Sequence, residues 1–267
     1  MKTHFRFFPI LSLALLCASL AVAQESREVQ KSGPFSRDGR LSVDTYKGSV
    51  TVTPWDKDEI RITARIESDG HSRREREQVE DTEVRIDLTS SSAHIKTDYD
   101  RVNRRRGGFL GIFGDNESNL PFVHYTINVP RTTNVRIKDY KSTTSIEGLQ
   151  SDVEVETYKG EVRVAKLAGS MNLQTYKGEA HVEFAGLSGR SRAETYKGEI
   201  EFTLPRGKGF DLDADLGKRA SFRSDFDLDR DRGRERRRGY DVRTSVNGGG
   251  PLLRIKSERG EVRLIER

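Results

Sequence analysis

The tetrapeptide Thr-Tyr-Lys-Gly occurs four times, at residues 45–48, 157–160, 175–178 and 195–198. A degenerate copy, Asp139-Tyr140-Lys141-Ser142, precedes the central copies, and Ser257-Glu258-Arg259-Gly260 stands near the end of the sequence. Tyr140, Tyr158, Tyr176 and Tyr196 are almost evenly spaced, the last interval slightly longer than the two equal ones before it. Val153, Val155 and Thr157 alternate with Glu154 and Glu156 before one turn, and Val162 and Val164 alternate with Arg163 after it. Period 2 on both sides of the turn predicts a strand, a corner and a strand. The inward column keeps its place while its identities vary: Met171 and Leu173 with Ala180 and Val182, then Ser191 and Ala193 with Ile200 and Phe202. Leu41 and Val43 with Val50 and Val52, and Leu253 and Ile255 with Val262 and Leu264, do the same in the outlying copies.

A unit of this size cannot bury its apolar column by itself, so it must stack on its neighbours. The predicted fold is all-β, a parallel β-solenoid of the β-helix kind with coils of about 18–20 residues, most regular over 133–222. The glycine of each Tyr-Lys-Gly turn is expected to supply positive φ, as are Gly148, Gly169 and Gly189 at the second corner. With stacked strands about 4.8 Å apart, the tyrosines would form an aromatic ladder. Lysines at the same spacing would repel, with Glu161, Glu179 and Glu199 as local compensation. An antiparallel meander or sandwich competes, because closely spaced turns suit it as well; the exact repeat favours stacking.

The repeat lapses between Thr53 and Asn134, where Ile60 to Ile66, Val84 to Leu88 and Val123 to Val129 alternate as longer strands. Irregular insertions separate them. His71 to Asp81 suits a short helix, and Asp100 to Asn119 carries Arg104, Arg105 and Arg106 before a glycine-rich segment with apolar tips at Phe109, Leu110, Ile112 and Phe113. A third insertion, 227–240, holds Arg236, Arg237 and Arg238 among other arginines and acids, a composition expected to be disordered.

The amino terminus places Lys2 and Arg6 before an apolar run that closes on Ala21-Val22-Ala23, the order of a secretory signal peptide spanning 1–23. The run is shorter than the roughly 20 residues of a membrane helix, so the mature chain, 24–267, is expected to be a single exported β-strand-repeat domain without a transmembrane anchor. Cys17 lies inside the run behind Leu16, which argues against lipidation; the mature chain then has no cysteine, hence no disulfide or thiol chemistry. Loss of Lys2 and Arg6 takes the formal charge from +5 to +3, so the clustering of charge matters more than its sum.

Chemistry is sparse. Asp225, Asp227, Asp229 and Asp231 alternate, but Arg230 and Arg236 occupy the glycine and bidentate-acid positions of a calcium loop. His71, His94, His124 and His181 lack ligand spacing, and there is no nucleophile elbow, phosphate loop or metalloprotease helix. No catalytic residue, metal or cofactor is assigned. A solenoid can still assemble a glycosidase or lyase site from acids on adjacent coils, for which Asp211, Asp213, Asp215 and Arg219 are first suspects. The candidate ligand-binding ladder is Tyr46, Lys47, Tyr140, Lys141, Tyr158, Lys159, Tyr176, Lys177, Tyr196 and Lys197, able to grip an anionic glycan by ring stacking and charge, unless it only seals the corner. Arg104, Arg105, Arg106, Arg236, Arg237 and Arg238 are candidate contacts for an anionic polymer.

Gly48-Ser49-Val50-Thr51-Val52 followed by Trp55-Asp56, the Val129-Pro130 step, the serial Gly-Glu turns, and Leu204-Pro205 leading to Phe210-Asp211-Leu212-Asp213-Ala214 together resemble the bacterial putative-adhesin domain of unknown function. That family of exported β-strand-repeat proteins is allied to autotransporter adhesin heads, and the likeness covers roughly 35–226. It implies surface attachment and no shared catalytic motif; the strict Tyr-Lys repeat and the arginine-rich insertions depart from it. The expected function is a non-enzymatic adhesive or scaffolding module of the bacterial cell envelope, periplasmic or on the cell surface, partnered by an anionic envelope glycan or another envelope protein. The alternative is a carbohydrate-active enzyme on the same scaffold. Export argues against nucleic acid as a physiological partner.

Overall fold

A computed structural model describes residues 26–68, 70, 72–105, 120–228, 234–236 and 239–267. The signal peptide expected at 1–23 lies outside them, as do Arg106, the apolar tip at 107–114, Arg237 and Arg238. Strand β1 (Ser26–Pro34) leads into the pair β2 (Arg40–Asp44) and β3 (Lys47–Trp55), then β4 (Glu59–Glu67), helix α1 (Arg73–Asp81), β5 (Glu83–Leu88), β6 (Ser92–Asp98), helix α2 (Asp100–Arg105) and β7 (Phe122–Pro130). Four strand-corner-strand pairs follow: β8 (Asn134–Asp139) with β9 (Lys141–Glu147), β10 (Val153–Thr157) with β11 (Glu161–Leu167), β12 (Met171–Thr175) with β13 (Glu179–Phe184), and β14 (Ser191–Thr195) with β15 (Glu199–Leu204). The remainder comprises β16 (Phe210–Gly217), β17 (Ser221–Ser224), β18 (Arg234–Arg236), β19 (Gly239–Val246), β20 (Leu252–Ser257) and β21 (Glu261–Glu266).

Each pair sends its first strand to one sheet and its second to the other. An 11-stranded sheet runs β18-β19-β16-β20-β14-β12-β10-β8-β2-β6-β5, and a 10-stranded sheet runs β1-β4-β7-β3-β9-β11-β13-β15-β21-β17. Inner strands pair in parallel: Val153 lies between Val135 of the preceding coil and Met171 of the following one, and Leu173 opposes Ala193 of the coil after that. These offsets reproduce the intervals between the tyrosines, and they rule out an antiparallel meander for these coils. Antiparallel pairing is confined to the ends, β1 with β4, β4 with β7 and β5 with β6 at one, and β19 with β16 and β18 at the other.

Alternation turns every second side chain inward, so the core is a set of columns shared between coils. Val43, Ile137, Val155 and Leu173 on one sheet, and Val52, Ile146, Val164 and Val182 on the other, are register partners at most 2% exposed. At roughly 1.5–3 kcal/mol per buried aliphatic side chain, this burial exists only because each coil covers the next.

Spatial order departs from chain order twice. The pair β2 and β3 is inserted between β6 and β7 on one side and β8 and β9 on the other, while β20 and β21 come back to separate β14 and β15 from β16 and β17. The regular run expected over 133–222 is therefore not contiguous in space, because the coil nearest the carboxyl end is interposed after β15. A parallel strand accepts any partner of matching alternation, and Leu253 and Ile255 fit opposite Ser191 and Ala193 as well as a chain neighbour would.

The corner glycines work differently from expectation. Gly160, Gly178, Gly198 and Gly260 do not have positive φ; among the repeat glycines Gly48 does. What they lack room for is a side chain: a Cβ on Gly178 would lie 2.0 Å from the Gly160 carbonyl oxygen, and one on Gly198 1.9 Å from that of Gly178. At the second corner Gly148 and Gly189 take positive φ, whereas at Gly169 a Cβ would meet the Ser151 carbonyl at 2.0 Å.

The described parts of the insertions include α1, α2 and β18, the last at one edge of the 11-stranded sheet. Helix α1 starts at a capping box in which the Glu75 N–H donates to Ser72 Oγ at 3.2 Å and the Ser72 N–H to Glu75 Oε2 at 2.9 Å. The expected disorder over 227–240 is corrected at 234–236, where β18 pairs with Tyr240 and its neighbours on β19. No helix among the described residues is long and apolar enough to cross a membrane.

Candidate ligand-binding ridge and groove

The ridge begins with the threonine of each repeat. It faces inward, and in three of the repeats its hydroxyl accepts the N–H of the glycine three residues on: Gly160 to Thr157 at 2.9 Å, Gly178 to Thr175 at 2.9 Å and Gly198 to Thr195 at 2.8 Å, while the Thr45 hydroxyl pairs with that of Thr97. In those three repeats this closes the corner over the Tyr-Lys dipeptide and turns both side chains outward. Because the glycines let coils approach to strand spacing, the tyrosines inherit it. Rings of Tyr46, Tyr140, Tyr158, Tyr176 and Tyr196 stack at 4.7, 4.9, 4.7 and 4.8 Å, with planes within 11° of parallel. Tyr99 meets Tyr46 edge-on at 6.3 Å at one end, and the Arg259 guanidinium lies 5.2 Å from the Tyr196 ring at the other. The sequence expectation of a ladder is met, with Tyr46 joined to Tyr140 although the whole of β4 to β7 separates them in the chain.

The stack closes the ring faces. Both faces of the three central rings are covered by neighbours, so the ridge offers ring edges and phenolic hydroxyls, and Tyr176 is its most open member at 37% exposure. Expected ligand stacking on those faces is ruled out by this packing. The lysines also line up along edges. Lys159 Nζ is 5.4 Å from the Tyr140 and the Tyr158 centroids, which are 4.9 Å apart, placing it beside the pair and not above either face. Lys141, Lys159, Lys177 and Lys197 are exposed, whereas Lys47 is buried with Nζ 3.5 Å from the Phe122 ring centre and 3.3 Å from the Leu120 carbonyl. Lys47 is thereby separated from the lysine row. The glutamates expected to compensate the lysines pair with arginines, Glu161 with Arg163 and Glu199 with Arg263.

Beside the ridge, on the side of the 11-stranded sheet, runs a groove of about 510 Å³. One wall is Tyr140, Tyr158, Tyr176 and Tyr196; the floor is the outward column Lys138, Glu156, Gln174, Glu194 and Lys256, joined by Glu258. Linear motif reading missed this column because its identities vary. The signal was positional: each member stands two residues before a ridge position.

One coil breaks the pattern internally. Where the adjacent coils have Thr, Gly and an aliphatic residue, the β8-β9 coil has Asp139, Ser142 and Thr144, all inward and buried. Asp139 Oδ1 accepts from the Ser142 N–H at 3.0 Å and the Thr157 hydroxyl at 2.8 Å. Asp139 Oδ2, Ser142 Oγ and Thr144 Oγ1 are buried without a hydrogen-bond partner. Burial raises the Asp139 pKa to about 6, against the lowering effect of the Ser142 and Thr157 bonds.

The remaining candidates disperse. Arg104 is exposed near the end of α2, and β18, which carries Arg236, borders the far end of the same sheet from β6; nine strand spacings separate β18 from β6, about 40 Å. Arg104 and Arg236 therefore cannot belong to one patch. Asp213 is committed to Arg254 at 2.7 Å and Arg243 at 3.1 Å; partial desolvation raises its pKa, but the hydrogen bonds from both arginines outweigh this and hold the carboxyl below its ordinary range. Asp211 accepts from the Ser245 hydroxyl at 2.6 Å. Asp211 and Asp213 are thus paired on the outer face of β16, where Asp215 is exposed. Histidine reading missed one cluster, in which Glu161, Glu179 and His181 bring ligand atoms within 4.8 Å of one another on the outer face of β11 and β13; Arg163 already pairs with Glu161, and His181 lies 3.5 Å from Glu201.

No protein-family model matches the sequence, and no curated protein matches it. Among solved structures, a "putative cell adhesion protein" from Clostridium sporogenes is similar with a TM-score of 0.51 at 9% identity, over 91% of this chain and 100% of that one. A "putative adhesin" from Bacteroides fragilis aligns over 90% of this chain and 97% of its own at 12% identity, with a TM-score of 0.36 too low to bear weight. Two largely parallel, stacked sheets built from paired strands are thus a fold this chain shares with a solved protein described as a cell adhesion protein.

Proposed function

We propose that this chain is a non-enzymatic β-solenoid of the bacterial cell envelope that acts as an adhesive or scaffolding module, with the tyrosine ridge and its groove as the ligand face. Parallel strand pairing at the interval of the tyrosines supports the solenoid reading. The observation that carries the functional reading is the groove, which follows the stacking axis past four tyrosines and so presents the same polar array coil after coil. A repeating surface of that kind suits a repeating polymer, and an envelope glycan is the partner assigned to it. The signal-peptide order expected at 1–23 supports export.

The test is a binding and turnover screen of the mature chain, 24–267, against envelope glycans with product analysis. Saturable binding without product is the expected result. Changing Tyr158, Tyr176 and Tyr196 together to Phe keeps the ring stack and removes three phenols, and is expected to weaken binding on the order of tenfold, about 1.4 kcal/mol, with an unchanged circular dichroism spectrum. Release of product would overturn the non-enzymatic reading, and unaltered affinity in the triple variant would remove the ridge from the ligand face.

A further inference from the structure

The groove and the lysine row lie on opposite flanks of the tyrosine ridge. In each repeat the floor residue precedes the tyrosine on the 11-stranded sheet, and the lysine follows it toward the 10-stranded sheet. Lys141, Lys159, Lys177 and Lys197 are accordingly absent from the groove lining. What the groove offers is a column of register partners, Lys138 opposite Glu156, Glu156 opposite Gln174, Gln174 opposite Glu194 and Glu194 opposite Lys256.

The charges along that column cancel. Lys138 Nζ lies 3.5 Å from Glu156 Oε1, and Glu194 is hydrogen-bonded by Arg192 Nε at 3.2 Å. Among the charged lining groups outside the core, Lys138 and Lys256 face Glu156, Glu194 and Glu258, so no positive excess exists to hold a polyanion. An anionic chain laid here would pass directly over carboxylates at two of its central coils, a like-charge juxtaposition that selects against it.

The central floor positions, Glu156, Gln174 and Glu194, instead present planar groups with paired oxygen acceptors, or an acceptor beside a donor, one per coil at about 4.8 Å. The wall adds phenolic hydroxyls that donate and accept. With both faces of the central rings closed by stacking, recognition has to run through hydrogen bonds and ring edges. A volume of about 510 Å³ falls within the ordinary range of ligand sites, about 300–1,000 Å³. Uncharged hydroxyl groups repeated along a chain meet all these conditions.

We infer that the groove binds a neutral, hydroxyl-rich linear polymer, a neutral glycan lying along the stacking axis, and discriminates against polyanions. This rests on the adhesive-module reading above and narrows its ligand. It also reverses the anionic preference expected from the lysines.

The test compares soluble neutral oligosaccharides (β-1,4-glucan, β-1,3-glucan and β-1,4-mannan series) with polygalacturonate and heparin on the mature chain, at low and physiological salt. At least one neutral series is expected to bind with little salt dependence. Gln174→Ala combined with Glu194→Ala should weaken it on the order of tenfold or more, while Lys159, Lys177 and Lys197 changed together to Ala should leave it unaltered. Charge reversal, Glu156→Lys with Glu194→Lys, should create polyanion binding absent from the parent chain. Polyanion binding by the parent that falls with salt and with the lysine triple, but not with the Gln174 and Glu194 changes, overturns the neutral-glycan inference and leaves the adhesive module standing. A folded chain that binds neither class overturns both.

Discussion

Asp139→Thr is expected to stabilise the chain by about 2–3 kcal/mol above pH 7 and to have little effect near pH 4. Asp139 is 7% exposed, occupies a position held by threonine in the adjacent coils, and has one carboxylate oxygen without a partner. Its folded pKa of about 6 lies above the ordinary value of 3.8, chiefly because burial penalises the charged form. The folded state therefore holds the proton more tightly than the unfolded state does. Below about pH 4 the group is neutral in both states and costs nothing; as pH rises from about 4 through 6, folding must also bury a charge, and stability falls by about 1.4 kcal/mol for each pH interval of one between the two values. Threonine can accept the same Ser142 N–H and carries no charge. Urea unfolding of parent and variant at pH 4 and pH 7.5 reads the difference directly. Equal effects at the two pH values would mean that packing and not ionisation sets the cost of Asp139.

Gly198→Ala carries the second large effect, a loss of about 3 kcal/mol or more, at or beyond the upper end of ordinary overpacking. The added methyl would sit 1.9 Å from the Gly178 carbonyl oxygen and 2.9 Å from Thr195 Oγ1. Neither is a flexible chain end that can swing away; one is the backbone of the coil beneath, and the other is the hydroxyl that accepts the Gly198 N–H. Relief requires the two coils to part, which lengthens the parallel ladder and the Tyr176–Tyr196 contact together. Gly186→Ala is the matched control, since a Cβ there meets nothing within 4 Å and φ is not positive, so its effect should stay within about 0.5 kcal/mol. Denaturation midpoints of the two variants decide the matter: similar losses would show that the corner glycines are not a spacing device.

The regular coils are legible in the sequence to the level of register. The interval between successive tyrosines predicts which residues pair, because the same interval separates Val135, Val153 and Met171, which lie side by side on adjacent strands. It also predicts the aromatic ladder, since identical residues at identical places on parallel strands have only the strand spacing to occupy. The role of the corner glycine is not legible in the same way. Positive φ is the usual warrant for a glycine in a turn, but steric contact between the corners of successive coils leaves no mark on one coil read alone.

The candidate site divides along the same line. Tyr and Lys repeat visibly, whereas the groove floor varies from Lys138 to Glu156 to Gln174 to Glu194 and carries no repeat signal. Charge alone points to the lysines as gripping groups. Their placement on the flank away from the groove, and the burial of Lys47 against Phe122, are consequences of which way the chain leaves each corner.

Sequence by itself determined the mostly-β character, the interval at which strands pair, the inward and outward faces and the composition of the ridge, because these depend on local alternation and on a repeat that any coil shares with the next. Tertiary structure alone decided that the coil of β2 and β3 sits between β7 and β9, that the coil of β20 and β21 sits between β15 and β17, that Arg104 and Arg236 stand far apart, and that the tyrosine faces are closed. The physical reason is that backbone pairing between parallel strands is indifferent to chain separation: any alternating strand can add to an open edge, and only the packing of the whole stack selects which one does.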